Sequence, residues 1–186
     1  PIYKLIIKKS FSKNLNFTIL NINDGEKSKH INNTIKITDY LSKNNFTRDD
    51  LIISLGGGVV GDLSGFVSSI FKRGIRFIQV PTSLLAQVDS SIGGKTGINN
   101  KYGKNLIGTF SQPDFVLIDL STLTTLPSRE FVSGFAEILK YSLIMNSKFF
   151  AWLEKNSHQI LKERNLSIIQ KAVLESCNCK SIIVKK

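Results

Sequence analysis

Three stretches of this 186-residue chain place reactive groups at spacings that chemistry can use. The first is Gly56-Gly57-Gly58-Val59-Val60-Gly61-Asp62, a G-x-G-x-x-G spacing directly behind an apolar run. Small residues there let the backbone approach a pyrophosphate, whose charge is met by free N–H groups and the positive end of the following helix. The spacing is not specific by itself. A dinucleotide fingerprint also wants an acid about 20 residues on, at the end of the next strand, and here that strand ends in Pro81-Thr82-Ser83. The nearest acids are Asp24 and Glu26, ahead of the glycines, and Asp62 immediately after them. A nucleotide in a cradle of unusual build is the expectation, because a plain tight turn does not account for three consecutive glycines.

The second stretch runs from Gln87 to Asn99 and contains Gly93-Gly94-Lys95-Thr96. A phosphate-binding loop needs a further glycine ahead of its Gly-Lys pair, and that position is Asp89, so the P-loop reading fails. What remains is a glycine-rich loop offering Asp89, Lys95, Lys104 and Asn105. A carboxylate, two ammonium groups and an amide suit a polyhydroxylated, anionic small molecule, although a solvated loop would have the same composition. The third stretch is Gly134-Phe135-Ala136-Glu137-Ile138-Leu139-Lys140-Tyr141. Glu137 and Lys140 lie three apart on one helical face, which favours an ion pair over a metal or substrate ligand. His30 and His158 share no ligand spacing with each other or with Glu137 and read as surface residues. Trp152, among Phe149, Phe150 and Leu153, reads as core.

These stretches must be held by alternating strands and helices, the pattern of an α/β layer structure. Residues 5–7 and 17–20 are candidate strands. A helix is expected from about Ser28 to Ser42, with Ile31, Ile35 and Leu41 near one face. Residues 51–55 form a continuous apolar run consistent with a buried parallel strand, and a helix follows the glycines as far as Lys72-Arg73-Gly74. Residues 77–80 and 115–119 are further strands, and 87–108 is a long functional loop. From Ser128 onward the pattern is helical, so an α/β domain over 1–127 and a helical domain over 128–186 are expected.

Composition sets outer bounds. The chain is 41% hydrophobic and 21% charged, ordinary globular values that exclude a disordered tail or a disulfide mini-protein. No apolar run approaches the ~20 residues a spanning helix needs, and residues 1–4 do not open a signal peptide, so a cytoplasmic location is expected. Cys177 and Cys179 read as small apolar residues on a late helix. The formal charge is +11, but the segment from Gly56 to Met145 has eight basic residues against six acidic ones, so most of the excess lies in the flanks. Only five of the 25 basic residues are Arg. A dispersed lysine excess is not a groove for a phosphate backbone, and neither nucleic acid nor membrane is an expected partner.

Together, the blocks at 56–62, 79–97 (Gln79-Val80-Pro81-Thr82-Ser83-Leu84-Leu85-Ala86-Gln87-Val88-Asp89 onward to Gly97) and 134–141 resemble 3-dehydroquinate synthase, of the sugar-phosphate cyclase superfamily. The resemblance runs from about Asp24 to the C-terminus. It implies a Rossmann-like, NAD-binding parallel-sheet domain followed by the start of an all-helical metal- and substrate-binding domain, normally in a homodimer. By similarity, Asp24, Gly25, Glu26, Lys27, Ser28 and Lys29 would hold the adenosine end of NAD. Gly58, Val59, Val60, Gly61 and Asp62 would take the pyrophosphate region. Thr82, Ser83, Thr122, Leu123, Thr124 and Thr125 would complete the cofactor site, with Lys95 and Lys104 between cofactor and substrate. Asp89, Lys95, Asn105 and Lys140 would serve substrate, Arg73 would reach the phosphate of the neighbouring subunit, and Glu137 matches the first of three ligands to zinc or cobalt.

The implied reaction converts 3-deoxy-D-arabino-heptulosonate 7-phosphate to 3-dehydroquinate and phosphate in the shikimate pathway. It proceeds by transient NAD-dependent oxidation, phosphate elimination, re-reduction and an intramolecular aldol closure. The family's other two metal ligands are histidines beyond Lys186, and its members begin with a further strand and helix ahead of Pro1. An internal fragment, inactive by itself, is therefore expected. Competing readings are another cyclase of the 2-deoxy-scyllo-inosose or valiolone type, a glycerol dehydrogenase-like oxidoreductase, and a nucleotide-binding module without catalysis.

Overall fold

The computed structural model describes residues 16–185; the candidate strand at 5–7 lies outside them. Its frame is a parallel three-stranded sheet in the order β1 (Leu51–Gly56), β2 (Arg76–Pro81), β5 (Phe115–Val116). β1 and β2 pair from Leu51↔Arg76 to Gly56↔Pro81, and β5 adds through Ile78↔Phe115 and Gln79↔Val116. Parallel neighbours need a crossover, and α2 (Gly58–Ile70) supplies it directly behind the glycines. Ahead of the sheet stands α1 (Ile31–Lys43); behind it come α3 (Ser128–Met145), α4 (Ser147–Leu161) and α5 (Leu166–Val184).

The segment expected to be a loop at 87–108 folds instead into a π-helical turn (Ala86–Ser90) and an antiparallel hairpin, β3 (Lys95–Asn100) and β4 (Gly103–Phe110). Its stability comes from tertiary packing that composition does not reveal. α2 is the middle layer between the parallel sheet and this hairpin, and two of its glycines set the spacing. A Cβ on Gly61 would stand 2.1 Å from Gln79 Nε2, and one on Gly65 would stand 2.4 Å from Thr96 Cγ2. Close approach of the β-branched Thr96 requires glycine at position 65, whereas at position 61 the end of the Gln79 side chain would have to move aside.

Other expectations are corrected. Residues 17–20 run as irregular chain with Phe17 and Leu20 exposed, so the apolar run finds no ladder among the described residues. α1 begins at Ile31, where His30 caps it by accepting from the Asn32 N–H, and its inward positions are Thr34, Ile37 and Leu41. Ile31 and Ile35 face outward instead. In β1 only one face is covered: Ser54 is 2% exposed beneath α2, while Ile53 on the opposite face is 46% exposed. The strand expected at 115–119 is two residues long, since Leu120–Thr125 turns into 3₁₀ helix capped by Asp119. From Ser128 the chain is helical, as expected.

Two apolar clusters result. Leu63, Phe66, Val67, Phe71 and Ile75 join Leu41 of α1 and Ile98 of the hairpin around α2. The larger cluster unites α3, α4 and α5 through Phe131, Ile138, Leu153, Ile160 and Ile169. It also takes in Leu84, Val88 and Leu123, which lie ahead of residue 127. Trp152 packs at its edge, stacked on Phe149. His158 is exposed and pairs with Glu163. No helix among the described residues is long and apolar enough to cross a membrane.

Candidate functional site

The glycine turn delivers an open helix start. Gly57 is the N-cap of α2 and contributes no side-chain cap, while its carbonyl accepts from the N–H groups of Val60 and Gly61 at 3.1 Å. A Cβ on Gly57 would lie 3.3 Å from Ser83 Oγ, and one on Gly58 3.1 Å from Ser90 Oγ. Ser90 Oγ is buried with no hydrogen-bond partner among the described residues. A bare helix N-terminus, backbone without Cβ atoms and an orphaned hydroxyl are what a pyrophosphate group needs, so these residues fit the NAD that the resemblance implies.

Beside this turn, residues 26–29 carry a buried cation. Lys29 is 4% exposed, and its Nζ donates to Asp62 Oδ2 at 2.6 Å and to Asn105 Oδ1, with Glu26 Oε1 3.8 Å away. Burial holds the Asp62 carboxyl above its ordinary value, outweighing the hydrogen bond and charge of Lys29. Asp24, Gly25 and Lys27 are exposed on the same turn, and Ser28 is buried.

The π-turn places the second acid. Gln87 Nε2 donates to Pro81 O, Asp119 O and Thr122 Oγ1, each at 3.2 Å, fastening this turn to the end of β2 and to the 3₁₀ segment. Asp89 then reaches two helices at once: its Oδ1 accepts from Tyr141 Oη of α3 at 2.8 Å and from Lys180 Nζ of α5. Burial alone would raise the Asp89 carboxyl, but the Lys180 and Tyr141 hydrogen bonds and the Lys180 and Lys140 charges together hold it below its ordinary value. Burial, then the hydrogen bond to Asp89, pushes the Tyr141 phenol up, so it stays a donor.

Asp62, Asp89, Ser90, Lys95, Asn105 and Lys180 line one cavity of about 420 Å³ between α2, the hairpin and α5. That volume lies within the ~300–1,000 Å³ common for small-molecule sites. Its walls carry two carboxylates, two ammonium groups, an amide and the hydroxyls of Ser90, Thr96 and Thr109, a set suited to a hydroxylated anion.

Neither Ser90 nor Lys180 was marked as a site residue by the sequence, and Lys180 is the more consequential of the two. It was one lysine in a basic flank, and the available signal was its place beside buried Cys179 and four residues after buried Ser176. Other expected residues stand elsewhere. Lys104 is exposed on β4 and does not line the cavity. Arg73 is exposed in a left-handed conformation (φ 65°) past the C-terminal end of α2, roughly 20 Å along the helix from the glycines at 1.5 Å per residue. Lys140 pairs with Glu137 outside the cavity lining. Thr82 and Ser83 are half-buried after β2; Thr122 and Leu123 are buried, and Thr124 and Thr125 exposed. No group of three His, Cys, Asp or Glu able to hold a metal occurs among the described residues. Glu137 contributes one carboxylate, paired with Lys140, and would need further ligands to hold an ion.

Residues 19–133 match the family model described as 3-dehydroquinate synthase N-terminal, and residues 134–186 the one described as 3-dehydroquinate synthase C-terminal. A 3-dehydroquinate synthase of Dictyoglomus thermophilum is 56% identical over 87% of this chain and 45% of its own length. One of Pelagibacter ubique is 47% identical over 97% of this chain and 52% of its own. The chain thus spans about half the length of the curated relatives it matches. Among solved structures, a 2-epi-5-epi-valiolone synthase of Streptomyces hygroscopicus with NAD+ and Zn2+ bound superposes with a TM-score of 0.81 at 28% identity, covering 85% of this chain and 44% of that one. A 2-deoxy-scyllo-inosose synthase complexed with carbaglucose-6-phosphate, NAD+ and Co2+ gives 0.77 at 26% identity, over 91% and 46%.

Proposed function

This chain belongs to the 3-dehydroquinate synthase family, and from that premise we propose that the whole protein converts 3-deoxy-D-arabino-heptulosonate 7-phosphate to 3-dehydroquinate and phosphate, as a step of the shikimate pathway. The observation that carries the reading is the cavity in which Asp62, Asp89, Lys95, Asn105 and Lys180 converge beside an uncapped, glycine-built helix start. The chain would divide into an NAD-binding part, 1–127, and the beginning of a metal- and substrate-binding part, 128–186.

NAD+, when bound, supplies transient hydride acceptance and return, which leaves net redox unchanged. It would lie with its pyrophosphate on Gly58 to Asp62, its adenosine end on Asp24 to Lys29 and its remaining contacts at Thr82, Ser83, Lys104 and Thr122 to Thr125. Lys95 and Lys180 would hold the substrate's anionic groups, and Asn105 would hydrogen-bond its hydroxyls. Asp89, kept ionised by Lys180 and Tyr141, offers an acceptor for a substrate hydroxyl across the working pH range. Lys140 would reach substrate if its pairing with Glu137 is exchanged for a metal on Glu137, zinc or cobalt being the ions held by the cyclase neighbours. Arg73 would serve the site of the other subunit of a homodimer, and the cytoplasm is the expected compartment.

The test is phosphate release by the full-length protein from heptulosonate phosphate with NAD+ and divalent metal, without accumulation of NADH at 340 nm. Sustained NADH production would instead indicate a net dehydrogenase. Turnover of glucose 6-phosphate or sedoheptulose 7-phosphate would indicate another cyclase.

A further inference from the structure

The hairpin carries one irregularity, a register shift between Ile98 and Asn100. A bulge frees a residue from the ladder and re-aims its side chain, and such bulges cluster beside active sites. The freed residue is Asn99. Its N–H leaves the hairpin and donates to Lys29 O at 2.8 Å, making a parallel bridge between Asn99 and His30. Its carboxamide is used at both ends. Nδ2 donates to Glu26 Oε1 at 2.8 Å, and Oδ1 accepts the backbone N–H of Asn105 at 2.9 Å. Asn105 sits at φ 58°, a left-handed conformation that Asn tolerates better than most residues but that still needs support. Its own Oδ1 accepts from Lys29 Nζ. The 26–29 turn therefore grips Asn105 twice, at the backbone through Asn99 and at the side chain through Lys29.

We propose that Asn99 is a positioning residue that fixes Asn105 towards the cavity and couples that placement to the Glu26–Lys29 turn, so that ordering the nucleotide end of the site also orders a substrate contact. This rests on the function proposed above for what each end binds, but the wiring itself stands on the bulge and the four hydrogen bonds of Asn99, Nδ2 donating also to Glu26 O at 3.5 Å. With Oδ1 of Asn105 taken by Lys29, the Nδ2 donor is what the amide offers to a ligand.

Two variants separate the two ends of the carboxamide. Asn99→Ala removes both. Asn99→Asp keeps an acceptor for the Asn105 N–H but loses the donor to Glu26 and sets a carboxylate against it. In the full-length protein, Asn99→Ala raises KM for the sugar phosphate about tenfold, the effect of one lost hydrogen bond, with a smaller change in kcat. Asn99→Asp leaves that KM near the parent value and weakens NAD+ binding instead, read by titration. Combining Asn99→Ala with Asn105→Ala adds nothing to the KM effect of Asn105→Ala. Equal effects of both variants on both ligands, full additivity with Asn105→Ala, or a change in melting temperature without a KM change each overturn the proposal. Amide hydrogen exchange at Asn105 needs no substrate. It is about tenfold faster in Asn99→Ala and unchanged in Asn99→Asp, and failure of that pattern also refutes the wiring. If the parent protein does not turn over heptulosonate phosphate, the functional reading fails while the exchange result still decides the role of Asn99.

Discussion

Lys180→Met removes one cation and leaves the rest of α5 intact. Lys180 and Asp89 keep 22% and 33% of their side-chain exposure, between the fully buried and the solvated case. Exposed pairs contribute about 0–1 kcal/mol, whereas removing one partner of a buried pair costs about 3–5 kcal/mol. With solvent reaching a third of the carboxylate, about 1–2 kcal/mol is expected, or roughly 3–6 °C in Tm for a chain of this size. The pH dependence is the sharper readout. In the parent, the Asp89 carboxyl lies below its unfolded value of 3.8, so the unfolded state binds more protons in acid. The Asp89 contribution is present in full above that value and is lost as pH falls through the folded pKa. Without Lys180, the strongest influence lowering the pKa is gone and burial is opposed only by Tyr141 and the charge of Lys140. The Asp89 pKa then moves up, and the acid loss attributable to it shrinks or changes sign. Tm measured from pH 3 to pH 7 for parent and variant checks this. Parallel curves would show that Asp89 owes its ionisation to something other than Lys180.

Gly65→Ala should destabilise by about 1–3 kcal/mol, because the new Cβ meets Thr96 Cγ2 at 2.4 Å and the Phe77 ring at 3.2 Å. Thr96 is β-branched and tied to Thr109, so it yields poorly, and a gain in denaturation midpoint would contradict the three-layer packing. Burial pushes the Cys177 thiol up to about 11, and its Sγ contacts Gln87 O at 3.6 Å. Iodoacetamide at pH 8 should therefore label it about a hundredfold more slowly than free cysteine, by mass spectrometry; fast labelling would mean that α5 detaches from the π-turn.

The strand–glycine–helix unit was legible because its signals are local: an apolar run, three glycines and an apolar helix pattern agree over residues 51–70. The hairpin was not. Residues 95–100 alternate poorly, and Gly97 and Gly108 weaken any strand propensity. What holds the hairpin is the face of α2 and the Thr96–Thr109 hydroxyl pair, which exist only once distant segments meet. The turn signal Asn99-Asn100-Lys101-Tyr102-Gly103 was available to suggest it. Composition marked Asp89 and Asn105 as chemically useful, but not their partners. Tyr141 and Lys180 lie 52 and 91 residues from Asp89, separations at which one sequence carries no pairing information. Ile35 and Ile53 show the converse error, apolar residues assigned inward on type alone.

The π-turn at Ala86–Ser90 bears on which changes of length the chain tolerates. A π-turn holds one residue more than an α-turn, and each residue of a helix advances the side chains by about 100°. Inserting one residue between Leu85 and Asp89 would leave the chain no ordinary wider turn to adopt, and Asp89 would swing about 100° away from Tyr141 and Lys180. Deleting one residue is the milder change, because relaxation to α geometry takes up the missing residue and returns Asp89 towards its present direction; the three bonds of Gln87 are lost if Gln87 is the residue removed. Conservative substitutions, and a single deletion that spares Gln87, would be absorbed more readily than an insertion of any identity. For anyone grafting or shortening this segment, the number of residues between Pro81 and Asp89 matters as much as their chemistry.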